Sequence, residues 1–309
     1  MIPVPVPPVP VKRLAVIGVG LIGGSFSLDL KRLGCVGEVV GAGRSSANLD
    51  VACQRGVIDH VAASAAEAVA DADLVLMAAP VGAMPALFAE IASVLSPKAL
   101  VTDVGSTKQD VIAAARTALG GRARQFVPAH PIAGAENSGA EAARHGLFSG
   151  KPLILTPLPE NDSQAVNRLA ALWAACGARV VRMAAAEHDR IFAAVSHLPH
   201  LAAFALMDEL AGRPDGDNCM RYAGAGFRDF TRIAASHPAM WRDISLANRA
   251  ALVTELDAYL AKLQHVRSLV AAGDGPALEA LFERARSARR HWQATSTPLT
   301  TDVSSDNPA

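Results

Sequence analysis

Residues 13–25 read RLAVIGVGLIGGS. Leu14, Ala15, Val16 and Ile17 make an apolar run the length of a buried strand, which feeds straight into Gly18, Gly20 and Gly23. Apolar residues then return at helical spacing. A G-x-G-x-x-G triplet between a strand and a helix is the dinucleotide fingerprint in the context that gives it meaning. Gly18 permits a tight turn, Gly20 lets a pyrophosphate approach the backbone, and Gly23 lets helix and strand pack closely. The helix start, at Leu21 and Ile22, turns free N–H groups and a positive dipole end toward phosphates. Gly18, Gly20, Leu21, Ile22 and Gly23 are therefore the expected cofactor contacts.

Outward from this stretch, strand and helix patterns alternate to about residue 183. Strands are expected at 14–17, 38–41, 74–78, 99–103, 125–129, 152–156 and 179–183, with helices between them, among them 46–55, 84–95, 107–119 and 162–175. Gly56, Gly120 and Gly177 stand where helices should end. Such alternation predicts an α/β Rossmann-type fold over residues 11–183, a doubly wound parallel sheet covered on both faces. From residue 184 the strand signals stop. Residues 184–294 are rich in Ala and Leu at helical spacing, with breaks at 212–217, 237–238 and 273–275, and read as an all-α domain. The run 244–270 reads as one long helix with Leu246, Leu252, Leu256, Leu260 and Leu263 on its apolar face. A stripe of that length has to be buried against something, and a second copy of the chain is the expected partner, making this a dimerisation domain. Residues 1–10, MIPVPVPPVP, read as a disordered, Pro-rich extended tail, and residues 295–309 as a polar, disordered one.

With 309 residues, 51% of them hydrophobic and 19% charged, the chain has material for two sizeable cores. A net charge of +0 argues against a nucleic-acid partner or an acidic membrane surface. No uninterrupted apolar run reaches the ~18 residues needed to span a bilayer, and the N-terminus lacks a basic start and is too rich in proline for a signal peptide. Cys35, Cys53, Cys176 and Cys219 form no close pairs in sequence and read as reduced thiols of a cytoplasmic protein.

An NAD site usually carries an acid at the end of the second strand, where it accepts from the ribose 2′-OH. Here that position is Gly43, followed by Arg44, Ser45 and Ser46. Losing the acid removes repulsion of a 2′-phosphate, and Arg44, Ser45 and Ser46 offer it charge-assisted hydrogen bonds. NADP is the favoured cofactor, with NAD as the alternative; the bland reading makes Arg44 a solvated loop charge and Ser46 a helix cap.

Ligands of a doubly wound sheet bind outside the carboxyl ends of its strands. Ala79 and Pro80 follow one strand end and should flank the cofactor; Ser106 follows the strand at 99–103, and His130 the strand at 125–129. Oxidising an alcohol requires a partner for the hydroxyl as hydride leaves its carbon, and histidine has the proton affinity for it near neutral pH. The bland reading of His130 is a loop histidine before a turn proline; its place beside a cofactor favours a catalytic one.

Five stretches together resemble the prephenate/arogenate (cyclohexadienyl) dehydrogenases of tyrosine biosynthesis: GVGLIGGS (18–25), DVGSTK (103–108), HPIAGAENSG (130–139), EHDRIFAAVSHLPH (187–200) and GFRDFTRIAASHPAMWRDI (226–244). They occur in the family's order and cover residues 13 to about 290. The resemblance implies oxidative decarboxylation: hydride passes from the hydroxyl-bearing ring carbon to a nicotinamide, CO2 departs and the ring aromatises. It implies that His130 polarises the substrate hydroxyl, that Ser106 orients His130 and that hydroxyl, and that His200 supports substrate binding. It further implies that Arg232 holds a substrate carboxylate, with Glu136 and Asp229 in a polar network near it and Trp241 as a wall. A guanidinium fork suits one end of a dianionic substrate.

One departure leaves prephenate and arogenate both open: position 135 is Ala, where the family often carries Thr or another side chain that influences substrate choice. About ten residues precede the first strand and about fifteen follow the last helix, so neither a fused chorismate mutase nor a C-terminal regulatory domain is expected. No metal site is expected either, because no carboxylate or thiol cluster completes the His197–His200 pair. His188 and Asp189 read as a pair on a solvated helix face or a structural link between domains, outside catalysis. Lys108 reads as a charge at a helix start. Two other functions compete: a β-hydroxyacid-type dehydrogenase, which would need Lys262 as its acid/base, and a non-catalytic NADP-binding sensor.

Overall fold

The strand β1 (Val11–Ile17) shows why a parallel sheet forms here. Leu14 and Val16 join the apolar core on one face of the sheet, Ala15 and Ile17 the core on the other, and all four are buried. A strand apolar on both sides is stable only with cover on both faces. The computed structural model describes residues 10–134 and 137–296. Its main sheet has six parallel strands in the order β3-β2-β1-β4-β5-β6, with β2 Val36–Ala42, β3 His60–Val61, β4 Leu74–Met77, β5 Leu100–Asp103 and β6 Phe126–Val127. The order reverses between β1 and β4, and the crevice this opens at the strand C-termini is where such sheets bind ligands. Helix α1 (Leu21–Arg32) covers one face, with Phe26 against Trp173 at 4.2 Å between ring centroids, while Phe88 meets Phe126 at 5.1 Å on the other.

Two sheets, not one, are present. The strand expected at 125–129 is two: β6, and β7 (Ala129–Pro131), which pairs antiparallel with β8 (Pro152–Leu155); β8 in turn lies parallel to β9 (Arg179–Arg182). Pro128 stands at the break, where the absence of an N–H ends the ladder. The change of sheet carries His130 past the edge of β5: the backbone N–H of Ala129 donates to Asp103 Oδ1 at 3.0 Å. The two-residue β3, exposed on both residues, carries no pattern a sequence reading could use.

After β9 the described chain is helical. Helix Ala185–Phe192 runs through a π turn, Ala193–His197, into helix Leu198–Ala211. Pro199, lacking the N–H that would bond back four residues, displaces the ladder there. By length and composition the whole run is apolar enough to cross a bilayer; it also carries His188, Asp189 and His197, all buried.

The single helix expected at 244–270 is broken into Pro238–Ala247 and Arg249–Ala272. Asn248, between them, is buried, and its Nδ2 donates to the carbonyl of Asp189 at 2.7 Å and faces His197 Nδ1 at 3.2 Å. The helix bends there without losing its ladder, since the Asn248 N–H still donates to the Ile244 carbonyl and its carbonyl accepts from the Leu252 N–H, each at 3.0 Å, and no proline or glycine marks the site. Of the expected stripe, Leu252 is buried, whereas Leu246, Leu260 and Leu263 are exposed.

The chain divides into two units, one up to Val253 and one from Thr254. The second is helical, with a turn at Gly273 (φ +65°) before helix Gly275–Ser296. The four cysteines are free thiols. Both expected tails lie almost wholly outside the described residues.

Candidate active site

The glycine turn fits a dinucleotide. Gly18 has φ +95°, and a Cβ there would meet the Ala78 carbonyl oxygen at 2.6 Å, so only glycine closes this turn. A Cβ on Gly23 would stand 2.8 Å from the Gly18 carbonyl oxygen and 2.9 Å from Val16, so α1 packs directly on β1. At Gly20, the N-cap, a Cβ would meet nothing within 4 Å: the backbone borders open space. No side chain caps α1, and the first-turn N–H groups of Leu21, Ile22 and Gly23 have no acceptor within the helix. Open space, free donors and a positive helix end are what a pyrophosphate requires. Ala78 and Ala79, just past the end of β4, lie directly beside Gly18, and Pro80 follows them in the chain.

Helix α2 (Ser46–Gln54) starts after β2 and is capped by Ser45, which accepts from the Asn48 N–H at 3.2 Å. The cap is thus Ser45 and not Ser46. Arg44, Ser45 and Ser46 are all exposed. Asn48 ties the turn together, donating to the Val19 carbonyl at 2.7 Å and accepting from the Ala140 N–H at 2.8 Å.

His130 lies on β7, partly buried, with Nδ1 2.8 Å from His188 Nε2. His188 Nδ1 lies 2.8 Å from Asp189 Oδ1, and Asp189 also accepts from the backbone N–H groups of Lys108 and Gln109 at 2.8 and 2.9 Å. The placement of His188 and Asp189 on a solvated face is overturned: they are 0% and 2% exposed. Glu187 and Arg190, on either side, give the segment the charged look of a surface helix. Lys108 does stand at a helix start, as the N-cap residue of helix Gln109–Leu119, but it does more than that. Its ammonium is fully buried, pairs with Asp103 and donates to the Ala129 carbonyl at 2.7 Å. Asp103 accepts in addition from the Gly105 N–H at 2.8 Å.

Burial, and after it the neighbouring His188, Lys108 and His197, hold His130 well below the ordinary histidine range, so it stands neutral as a proton acceptor must. His188 is also lowered by burial, partly offset by its bond to Asp189. Burial alone would raise the Asp189 carboxyl, but the bonds from His188, Gln109 and Lys108 outweigh it and keep it ionised.

A second group adjoins the first. His197, lowered to about 4 chiefly by burial, is near enough to His130 to influence it, and the Ser106 backbone in turn acts on His197. The His200 ring stacks on Trp241 with centroids 3.6 Å apart, and His200 Nδ1 bonds the Ser196 carbonyl at 2.8 Å. Burial lowers His200, and Arg232 lowers it further, which brings that guanidinium to the same group. Trp241 is buried in the core that includes Val81 and Met84, fixing helix Pro238–Ala247 to the main sheet unit. Asp229 is exposed on helix Ala225–Thr231. Glu136 and Ala135 lie outside the described residues. Sequence reasoning missed Asp103, Lys108, Asn48 and Asn248 as site-building residues, and held His188 and Asp189 to a structural link at most, because each works through tertiary contacts that no spacing announces.

Fold and site define a dinucleotide-linked oxidoreductase with a neutral histidine at the nucleotide edge. The chain belongs to the prephenate dehydrogenase family: the model for the prephenate dehydrogenase nucleotide-binding domain matches residues 26–182, and that for its dimerization domain matches residues 184–284. A cyclohexadienyl dehydrogenase of Zymomonas mobilis is 37% identical over 281 residues, spanning 90% of this chain and 95% of its own. A prephenate dehydrogenase of Bacillus subtilis is 38% identical over 274 residues, 88% of this chain and 74% of its own. The crystal structure of prephenate dehydrogenase from A. aeolicus in complex with hydroxyphenyl propionate and NAD+ superimposes with a TM-score of 0.84 at 34% identity, covering 91% of this chain and 98% of that one. The resemblance carried by the five stretches is borne out, and the β-hydroxyacid and sensor alternatives fall.

Proposed function

We propose that the enzyme oxidatively decarboxylates prephenate to 4-hydroxyphenylpyruvate, or arogenate to tyrosine, with NADP as the favoured acceptor and NAD as the alternative. The observation that carries this reading is His130, a neutral imidazole anchored through Nδ1 at the nucleotide edge of the sheet, with Nε2 left for a substrate. A bound nicotinamide dinucleotide supplies the hydride acceptor. His130 accepts the substrate hydroxyl proton as that carbon becomes a carbonyl, and returns it to the phenolate oxygen once the carboxylate has left as CO2. Ser106 orients the hydroxyl and His130. Arg232 grips a carboxylate at the far end, with His200 and Trp241 as a rigid stacked wall and Glu136 and Asp229 completing the polar network. Aromatisation supplies the driving force, so positioning is the main task of the protein.

Residues 11–183 are assigned to the cofactor and 184–294 to substrate binding and homodimer formation. The exposed Leu260, Leu263, Val270 and Phe282 support a self-association face. Exposed Arg44, with Gly43 in place of an acid, supports NADP. Free thiols suit the cytoplasm, the assigned location. The test is absorbance of reduced nicotinamide with prephenate and arogenate, each against NADP+ and NAD+. Turnover with at least one substrate, faster with NADP+, is expected. No turnover with either substrate overturns the assignment, and a preference for NAD+ overturns the role of Arg44.

A further inference from the structure

His130 can serve as a proton acceptor only if the nitrogen facing the substrate is bare, and a neutral imidazole carries its single hydrogen on either nitrogen. The two residues behind it, His188 and Asp189, decide which. Asp189 accepts two backbone N–H bonds, Lys108 to Oδ1 and Gln109 to Oδ2, so its oxygens are committed as acceptors. The nitrogen 2.8 Å from Oδ1, His188 Nδ1, must then be a donor, since a lone pair there would face a lone pair. With its hydrogen on Nδ1, neutral His188 presents a bare Nε2 to His130, 2.8 Å away, and His130 Nδ1 must supply the hydrogen of that bond.

We propose that Asp189 and His188 are positioning residues that lock His130 in the tautomer with hydrogen on Nδ1 and a free electron pair on Nε2. The proposal rests on the assigned role of His130 and deepens it. When Nε2 takes the substrate proton, His130 becomes an imidazolium that still donates through Nδ1 to His188, so the charge is stabilised with no bond broken behind it. Asn248 adds to the fixation by donating to the Asp189 carbonyl from the helix bend. Phe192 bounds both rings, at 4.9 Å from His130 and 4.4 Å from His188, so neither imidazole turns freely. The charged and titratable groups around these residues are Asp103, Lys108, Asp110, Asp189, His197 and His188 itself. Lys108 is neutralised by Asp103, and the electrostatics agree with the geometry: His188 is kept neutral and Asp189 ionised.

The direct test is nitrogen-15 NMR of histidine-labelled enzyme loaded with NADP+, without substrate, near pH 7.5. Both His188 and His130 are expected to carry hydrogen on Nδ1 and none on Nε2. Hydrogen on Nε2 of either ring overturns the lock. Because no substrate is present, this result is independent of which cyclohexadienyl acid turns over. The kinetic arm uses His188→Leu, expected to lower kcat by about 100-fold with KM within about twofold. His188→Gln, whose amide oxygen accepts where Nε2 did, should recover about tenfold of that loss. It should also shift the acid limb of the kcat profile back toward that of the unsubstituted enzyme. Unchanged kcat in His188→Leu, or equal loss in both variants, overturns the proposal. Should the leucine variant fail to fold, the NMR result decides alone.

Discussion

The Lys108 ammonium donates to the carbonyl of Ala129 at 2.7 Å while paired with the buried Asp103 carboxylate, so one side chain ties the end of β5 to the residue before His130. Breaking a buried pair by removing one partner strands the other charge. Lys108→Met should cost about 3–5 kcal/mol of stability in denaturant unfolding, and Lys108→Met with Asp103→Asn clearly less. Equal losses in the single and double variants would mean the pair is not what holds this edge.

Replacing the hydroxyl partner should remove chemistry and spare binding. His130→Asn is expected to lower kcat by about 10²–10⁴-fold, with cofactor affinity in a fluorescence titration near that of the parent enzyme. A kcat within threefold of the parent would take His130 out of the reaction.

In the proposed assignment Arg232 holds the other end of the substrate, and its charge is felt by His200. Arg232→Ala should raise KM by at least about tenfold while kcat changes by only a few-fold, the pattern of a lost binding contact. An unmoved KM would make Arg232 structural.

The glycine turn separates a packing glycine from a ligand-facing one. A Cβ at Gly23 collides with the Gly18 carbonyl and Val16, whereas one at Gly20 meets only open space. Gly23→Ala should lower the melting temperature markedly. Gly20→Ala should leave it near that of the parent while weakening nicotinamide dinucleotide binding by about tenfold or more, measured by calorimetry. Tight cofactor binding by Gly20→Ala would place the pyrophosphate elsewhere.

Buried, neutral histidines set the acid limit of stability. His197 titrates at about 4 when folded, against about 6.5 for an unstrained histidine. Below about pH 6.5 the unfolded chain takes up a proton that the folded chain refuses. Stability should therefore fall as pH drops from about 6.5 to 4, by up to about 3 kcal/mol from this residue, and His130 acts in the same direction. Above that window neither contributes a slope. Unfolding curves at pH 7.5, 5.5 and 4.5 should show the decline, flatter in His197→Gln; identical slopes would exclude His197 as its source.

What the sequence determined by itself was everything carried by local pattern. Residues 13–25 specify a buried strand, a turn only glycine can make and a helix start with bare N–H groups, and these conformations follow from nearest neighbours in the chain. The same is true of the helical character of residues 184–294. Which polar groups leave water together was settled by long-range packing. Pro128 divides a strand between two sheets because β8 is there to receive the second half. Asn248 is buried at a helix bend because a carbonyl and an imidazole 59 and 51 residues away receive its side chain. His188 and Asp189 read equally as a solvated pair or a structural link, and Lys108 as a helix-start charge; all three are buried in the fold, where each finds the partner that offsets its desolvation. A burial cost and its compensation are properties of pairs distant in the chain, and a single sequence records the members of such pairs without recording the pairing.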